Sequence, residues 1–219
     1  MDENFVANSL SLTLFVVSLF ISLRAFYLYT RSRSRRLFIL SLSMGMISLT
    51  AMAGYAGDNI TSISLNVDWF NYIGQTVSYL FILLSFFSES DSYLRSLIRW
   101  QIAASALLLI LLFLAPVLPP EFPDPAITKS ILSGSRGLIC FIIFLYYVNV
   151  FMDKETRFSL LMSAAFLLLC IGYSIIIPKY TTPNDVLDRS GDIMRIAGLV
   201  FLLFAVLLPN VAYRQRQYV

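Results

Sequence analysis

The stretch Thr30-Arg31-Ser32-Arg33-Ser34-Arg35-Arg36 separates two long apolar runs, and its reading decides the fold. On its N-terminal side lies an apolar run over roughly 5–29, and on its C-terminal side another over roughly 37–56. Each is close to the ~20 residues that cross ~30 Å of hydrocarbon at ~1.5 Å per residue. Arginine and lysine beside membrane helices stay cytoplasmic, so this basic loop is expected inside and the acidic N-terminus outside. Arg24 sits close enough to the loop to snorkel to the same interface. The opening Met-Asp-Glu-Asn lacks the positive region of a signal peptide, so the first run is expected to be retained as a helix.

Working outward, five further apolar runs follow, over roughly 69–87, 98–117, 127–151, 158–177 and 191–208. The expected fold is therefore an all-α, seven-helix membrane bundle, a single transmembrane domain over 1–219, with its C-terminus in the cytoplasm. Charge supports that alternation. The expected inner segments hold Arg95, Arg99, Lys154, Arg157, Arg214 and Arg216 besides the first basic loop. The expected outer loops hold Asp2, Glu3, Asp58, Asp68, Glu121, Asp124, Asp185 and Asp188, opposed by Lys179 and Arg189. Trp100, Tyr146 and Tyr147 suit the inner interface, and Trp69, Tyr55 and Tyr173 the outer one. Pro116, Pro119, Pro120, Pro123 and Pro125 are expected to form an outer loop that is not helical throughout. The segment 89–99, with Glu89, Asp91, Arg95 and Arg99, is expected to be an inner loop.

Composition agrees with a lipid solvent. Of the 219 residues 58% are hydrophobic and 13% charged, where soluble domains carry about 25% charged. Mean hydropathy is +0.77. The net charge of +3 lies at helix ends, without a basic arm or zinc-finger spacing, and points to anionic lipid headgroups rather than nucleic acid. The chain has no histidine, the usual ligand for haem and zinc and the commonest general base. No metal and no cofactor is expected, and with no paired carboxylates deep in the bundle, no enzyme. Cys140 and Cys170 fall inside apolar runs and read as small buried hydrophobes.

Charged residues within a span are expensive and point to function. Arg136 and Arg195 are the clearest, with Lys129 and Asp192 nearer the surface. Lys129, Ser133, Arg136 and Cys140 share one helical face, as do Asp188, Asp192 and Arg195. In the third run Asn71, Gln75 and Ser78 form a polar stripe beside Tyr72 and Tyr79. Together they outline a polar cavity between helices three, five and seven, opening outward and able to take a small polar or anionic ligand. A second reading stays open: the arginines pair with Asp192, Asp68 or Asp58, and Asn71 and Gln75 join helices by hydrogen bonds. Ser41, Gly45 and Ser48, with Ala53, Gly54 and Gly57, read as close helix packing. Asn59-Ile60-Thr61 is a glycosylation sequon on the expected outer side.

Two resemblances follow. Seven spans with an outer N-terminus, Asp68-Trp69 and Leu187-Asp188-Arg189-Ser190-Gly191-Asp192 resemble the microbial rhodopsins. The seventh run has no lysine, and Asp192 stands where the resemblance would put the retinal lysine, so no Schiff base can form. The chain also resembles the seven-helix sensor regions of prokaryotic histidine kinases. Tyr27-Leu28-Tyr29 before the basic loop, the small-residue second helix, and Trp69, Tyr72 and Gly74 carry that likeness. It implies a membrane sensor. With no kinase domain before Val219, a separate cytoplasmic partner is expected to dock on the short inner loops 89–99 and 153–157. The alternatives are a small-anion transporter or channel, and an assembly subunit of a membrane complex. Plasma or cytoplasmic membrane is the expected location.

Overall fold

The computed structural model describes residues 3–59, 67–114, 117, 124–180 and 185–208. Among them there is no strand, and seven α-helices follow one another: α1 Glu3–Ser32, α2 Arg35–Asn59, α3 Asp68–Leu84, α4 Asp91–Leu114, α5 Pro125–Lys154, α6 Arg157–Ile176 and α7 Asp185–Leu207. A short 3₁₀ turn, Ile177–Tyr180, extends α6. All but α3 are long and apolar enough to cross a membrane, which marks an integral, multi-pass membrane protein. Asp2, Glu121, Arg214, Arg216, four of the loop prolines (Pro116, Pro119, Pro120, Pro123) and Ile60-Thr61 of the sequon lie outside the described residues. So do the side chains of Glu3, Asp58, Asp185 and Asp188.

Several boundaries differ from expectation. The third run was expected to reach 87, yet α3 is 17 residues long and stops at Leu84. Its last carbonyls are taken by side chains. Tyr93 Oη donates to the Leu84 carbonyl at 3.1 Å, and Arg36 Nε donates to that of Ser85 at 3.2 Å. The expected loop 89–99 is largely helix, because α4 begins at Asp91, whose carboxylate suits a helix N-terminus. Arg35 forms an ion pair with Asp91, and Leu94 and Leu97 pack with Ile39 and Phe81. Pro125 is the first residue of α5, where its fixed φ and missing N–H are harmless. The last helix starts at Asp185 rather than 191.

Packing follows an up-and-down course. Helices α1, α2, α3, α5, α6 and α7 form a closed ring in that order, and α4 packs outside it against α2 and α3. Short side chains set the α1–α2 register. Ser22 Oγ donates to the Ser41 carbonyl at 2.8 Å while Ser41 Oγ donates to the Ser22 carbonyl at 2.9 Å. Ser48 Oγ reaches the Phe15 carbonyl at 3.2 Å. Gln101 holds α4 in place, donating to the Ile39 carbonyl and to Ser43 Oγ. Buried polar groups thus lie between helices, while Phe20, Leu23, Leu107, Phe113 and Ile131 are exposed, the arrangement lipid demands.

The ring gathers the α1–α2, α3–α4 and α5–α6 connections at one end. This arginine-rich end carries Arg31, Arg33, Arg35, Arg36, Arg95, Lys154 and Arg157. The last turns of α2, α4 and α6 and the first turns of α3, α5 and α7 lie at the opposite end.

The tightest seam joins α6 to α7. A Cβ on Gly172 would sit 2.9 Å from the Gly191 carbonyl oxygen and 3.1 Å from the Arg195 amide nitrogen. Those are backbone atoms, so Gly172→Ala must part the helices. Overpacking of this kind costs about 1–3 kcal/mol, and each such unit shifts Tm by roughly 2–4 °C in a chain of this size. The expected result is a melting temperature several degrees lower in detergent. Gly134→Ala, whose Cβ would meet nothing nearer than 3.7 Å, should be neutral or stabilising. Equal melting temperatures for the two variants would refute this seam.

Candidate functional site

The centre of the polar cluster is Arg136, in the first half of α5 and only 3% exposed. Its guanidinium donates from Nη1 to Gln75 Oε1, from Nη2 to Ser133 Oγ at 2.8 Å, and from Nε to the Leu132 carbonyl at 3.2 Å. Two rings lie against it, Tyr173 at 4.7 Å and Tyr72 at 5.1 Å from the guanidinium carbon. Every one of these partners is neutral. Among the described residues no carboxylate pairs with Arg136, although a buried cation is expensive to leave uncompensated.

The cluster extends through Gln75. Its oxygen also accepts from Tyr173 Oη at 3.4 Å, and its Nε2 donates to Asn71 Oδ1 at 2.6 Å. The amide orientation follows from Arg136, since a guanidinium has only donors to offer. Asn71 and Gln75 are one turn apart on α3, so both reach the same side of the ring. Tyr72 Oη and Ser133 Oγ each lie within hydrogen-bond distance of Tyr180 Oη, at 3.1 and 3.2 Å.

The other charges are paired. Lys129 Nζ lies 2.6 Å from Asp68 Oδ2 and also against the Tyr72 ring, which closes the end of the α3–α5 seam. Arg195 forms an ion pair with Asp192 on the preceding turn of α7, and its guanidinium carbon lies 5.4 Å from the Tyr173 centroid. Arg195 Nε is buried and has no hydrogen-bond acceptor. The single ring of Tyr173 therefore touches both guanidinium groups. It is 3% exposed and deep in the bundle, not at the outer interface as expected, because Gly172 and Gly137 let α5, α6 and α7 close around it. Tyr147, expected at the inner interface, is likewise buried, stacked on Phe166.

A cavity of about 140 Å³ adjoins the cluster at this end of the bundle, lined by Asn71, Gln75, Asp192 and Arg195. Ser11, Leu14, Ala51, Gly54 and Ile196 complete its wall. It thus lies between α1, α2, α3 and α7, rather than between helices three, five and seven. Arg136, Lys129 and Tyr72 do not line it. Arg136 stands behind Gln75, one hydrogen bond from the cavity wall, so it acts on the cavity through its charge and by orienting that amide. Sequence reasoning missed the α1 and α2 residues. Gly54 differs from Gly45: a Cβ at Gly45 would meet Ser22 Oγ at 3.1 Å, whereas at Gly54 the nearest atom is Asn71 Nδ2 at 3.9 Å. Of these two, only Gly45 is a packing glycine.

The arrangement can hold a small anion or a small zwitterion. Arg136 and Arg195 against Asp192 leave one positive charge in excess beside the cavity. Its volume is close to the ~150 Å³ apolar cavity that accepts benzene, so the guest has on the order of six heavy atoms. Comparison with family models, curated proteins and solved structures returns no match for this chain.

Proposed function

We propose that the protein is a seven-span, non-enzymatic membrane sensor that binds a small polar or anionic ligand from the outer side. The observation that carries this reading is Arg136: a buried cation held only by neutral partners, one residue behind a polar cavity. Intramembrane charge marks function by default, and an anion in the cavity supplies the missing counter-charge. Helix α3 counts as the seventh span. At ~1.5 Å per residue it is roughly 25 Å long, and α2, α4 and α5 flank it. Lysine and arginine at the end carrying the α1–α2 loop put that end in the cytoplasm, of a plasma or cytoplasmic membrane. A ligand drawing Arg195, Asn71 and Gln75 together would shift α7 against α3, and a cytoplasmic partner would read that shift at the arginine-rich end.

A transport reading has less support. From Gln75 to Ile82 along α3 is roughly 10 Å, and across that depth the ring is filled by Met44, Ile47, Tyr79, Ile143, Leu169, Leu199 and Leu202, all buried. Among the described residues this layer is lined by apolar side chains and the Tyr79 ring.

Native mass spectrometry of protein extracted gently from its own membrane tests the proposal. The expected result is a small-molecule adduct that disappears in the double variant Arg136→Gln, Arg195→Gln while the variant stays folded and monodisperse. An adduct of unchanged occupancy in that variant would sink the reading.

A further inference from the structure

A second cavity, of about 420 Å³, opens at the arginine-rich end and is separate from the first. All six ring helices contribute to it. Its depth is apolar: Leu40 from α2, Ile82 from α3, Met162 from α6, and Ala205 and Val206 from α7. Aromatic rings form its waist. Phe86 stacks on Tyr146 at 4.7 Å, and Tyr147 meets both Phe86 and Phe158 edge-on. Its mouth is polar and basic, with Ser32, Ser34, Arg36, Lys154 and Thr156.

This layering, apolar depth under a cationic rim, is the inverse image of an amphiphile. We propose that the cavity binds a single-chain anionic amphiphile of the fatty-acid type, its alkyl chain among Leu40, Ile82, Met162 and Val206 and its head group between Arg36 and Lys154. The volume falls in the range of sites that enclose a small organic ligand, enough for one chain. Charge selects the sign of the head group. Lys154 forms no ion pair among the described residues, and Arg36 shares only the well-exposed Glu89 at 3.3 Å. The acids nearest in sequence, Asp153 and Glu155, do not line the cavity. Placed there, the alkyl chain would touch α2, α3, α6 and α7 together, and would wedge the end of the ring at which those helices meet.

The test is photolabelling of the full chain, in detergent and in nanodiscs, with a myristic acid carrying a diazirine near its methyl end and an alkyne tag. Labelled peptides are located by mass spectrometry. The expected result is labelling concentrated on the segments around Met162 and Val206, displaced by excess unlabelled myristate. Myristyl alcohol, with the same chain and no charge, should displace it at least five-fold less well. Met162→Trp, which fills the cavity, should abolish the labelling. Arg36→Gln with Lys154→Gln should weaken it while sparing the fold, because both side chains lie at the mouth. Arg136→Gln should leave it unchanged, which keeps failure here distinct from failure at the first cavity. Labelling confined to lipid-facing positions such as Leu107 and Phe113 would overturn the proposal. So would equal displacement by the alcohol, or an unlabelled chain, whatever fills the space instead.

Discussion

Arg136→Gln is expected to leave the protein at least as heat-stable as its parent, while binding of a small anion such as acetate falls ten-fold or more. The two halves of this result have one cause. Removing one member of a buried ion pair typically costs about 3–5 kcal/mol, because the abandoned partner keeps its charge. Arg136 has no such partner. Its acceptors are the oxygens of Gln75, Ser133 and Leu132, and each keeps another bond without it. Gln75 Oε1 retains Tyr173 Oη, Ser133 Oγ retains Tyr180 Oη, and the Leu132 carbonyl belongs to the α5 backbone. An arginine within a span is unfavourable by about 2.5–3.5 kcal/mol on insertion scales, and glutamine, though still polar, removes the buried charge. Loss of the two aromatic contacts, each about 0.5–2 kcal/mol, works the other way and is of similar size. The net effect on folding is therefore near zero or favourable.

Binding responds differently, because the same charge is the excess that attracts an anion to the cavity. Ten-fold corresponds to about 1.4 kcal/mol, a modest demand on a charge acting across one buried amide. The measurement is thermal melting of parent and variant in the same detergent, without and with acetate. A variant that melts well below the parent, yet gains as much stability from acetate, would make Arg136 a structural residue. Arg195→Gln provides the contrast. It abandons Asp192, so its own melting temperature should fall.

How much of this was legible beforehand depends on whether a residue's meaning is local. The basic loop 30–36 and its flanking apolar runs place α1 and α2 with no tertiary information. The same holds for Asn71 and Gln75, whose spacing of one helical turn fixes a shared face. The start of α4 was hidden because Asp91, Arg95 and Arg99 read as loop on hydropathy. They are helical because Arg35 and Tyr93 fasten that first turn to neighbouring helices. Tyr173 was misplaced for a related reason: a tyrosine near the end of an apolar helix looks alike at an interface and in a core. Only Gly172 and Gly137, which bring three backbones together, decide between them. The cavity was least legible of all. Ser11, Ala51 and Gly54 make room by lacking volume, and in a sequence small residues signal close packing equally well.

Asp192→Asn should separate two classes of guest by changes of opposite sign. Asp192 and Arg195 both line the cavity, both about four-fifths buried at the side chain, and they neutralise each other. A simple anion must compete with the Asp192 carboxylate for the Arg195 guanidinium and also suffers its repulsion. Two unit charges ~5 Å apart at an effective dielectric constant near 20 interact by about 3 kcal/mol, and partial exposure reduces that. Relief of the repulsion is therefore expected to tighten acetate binding by about ten-fold. Glycine carries the same carboxylate and adds an ammonium group, for which Asp192 is the one acidic partner in the cavity wall among the described residues. Its binding should weaken by a similar factor. The cavity would go from one excess positive charge to two, which raises the field for an anion and opposes the cation of a zwitterion. Whichever probe binds the parent more tightly names the class of the natural ligand, and the variant checks that assignment independently. The comparison is thermal stabilisation of parent and variant by acetate and by glycine over a range of concentrations. If both probes respond alike in the two proteins, the Asp192–Arg195 pair is a closed structural contact, and the guest is held elsewhere.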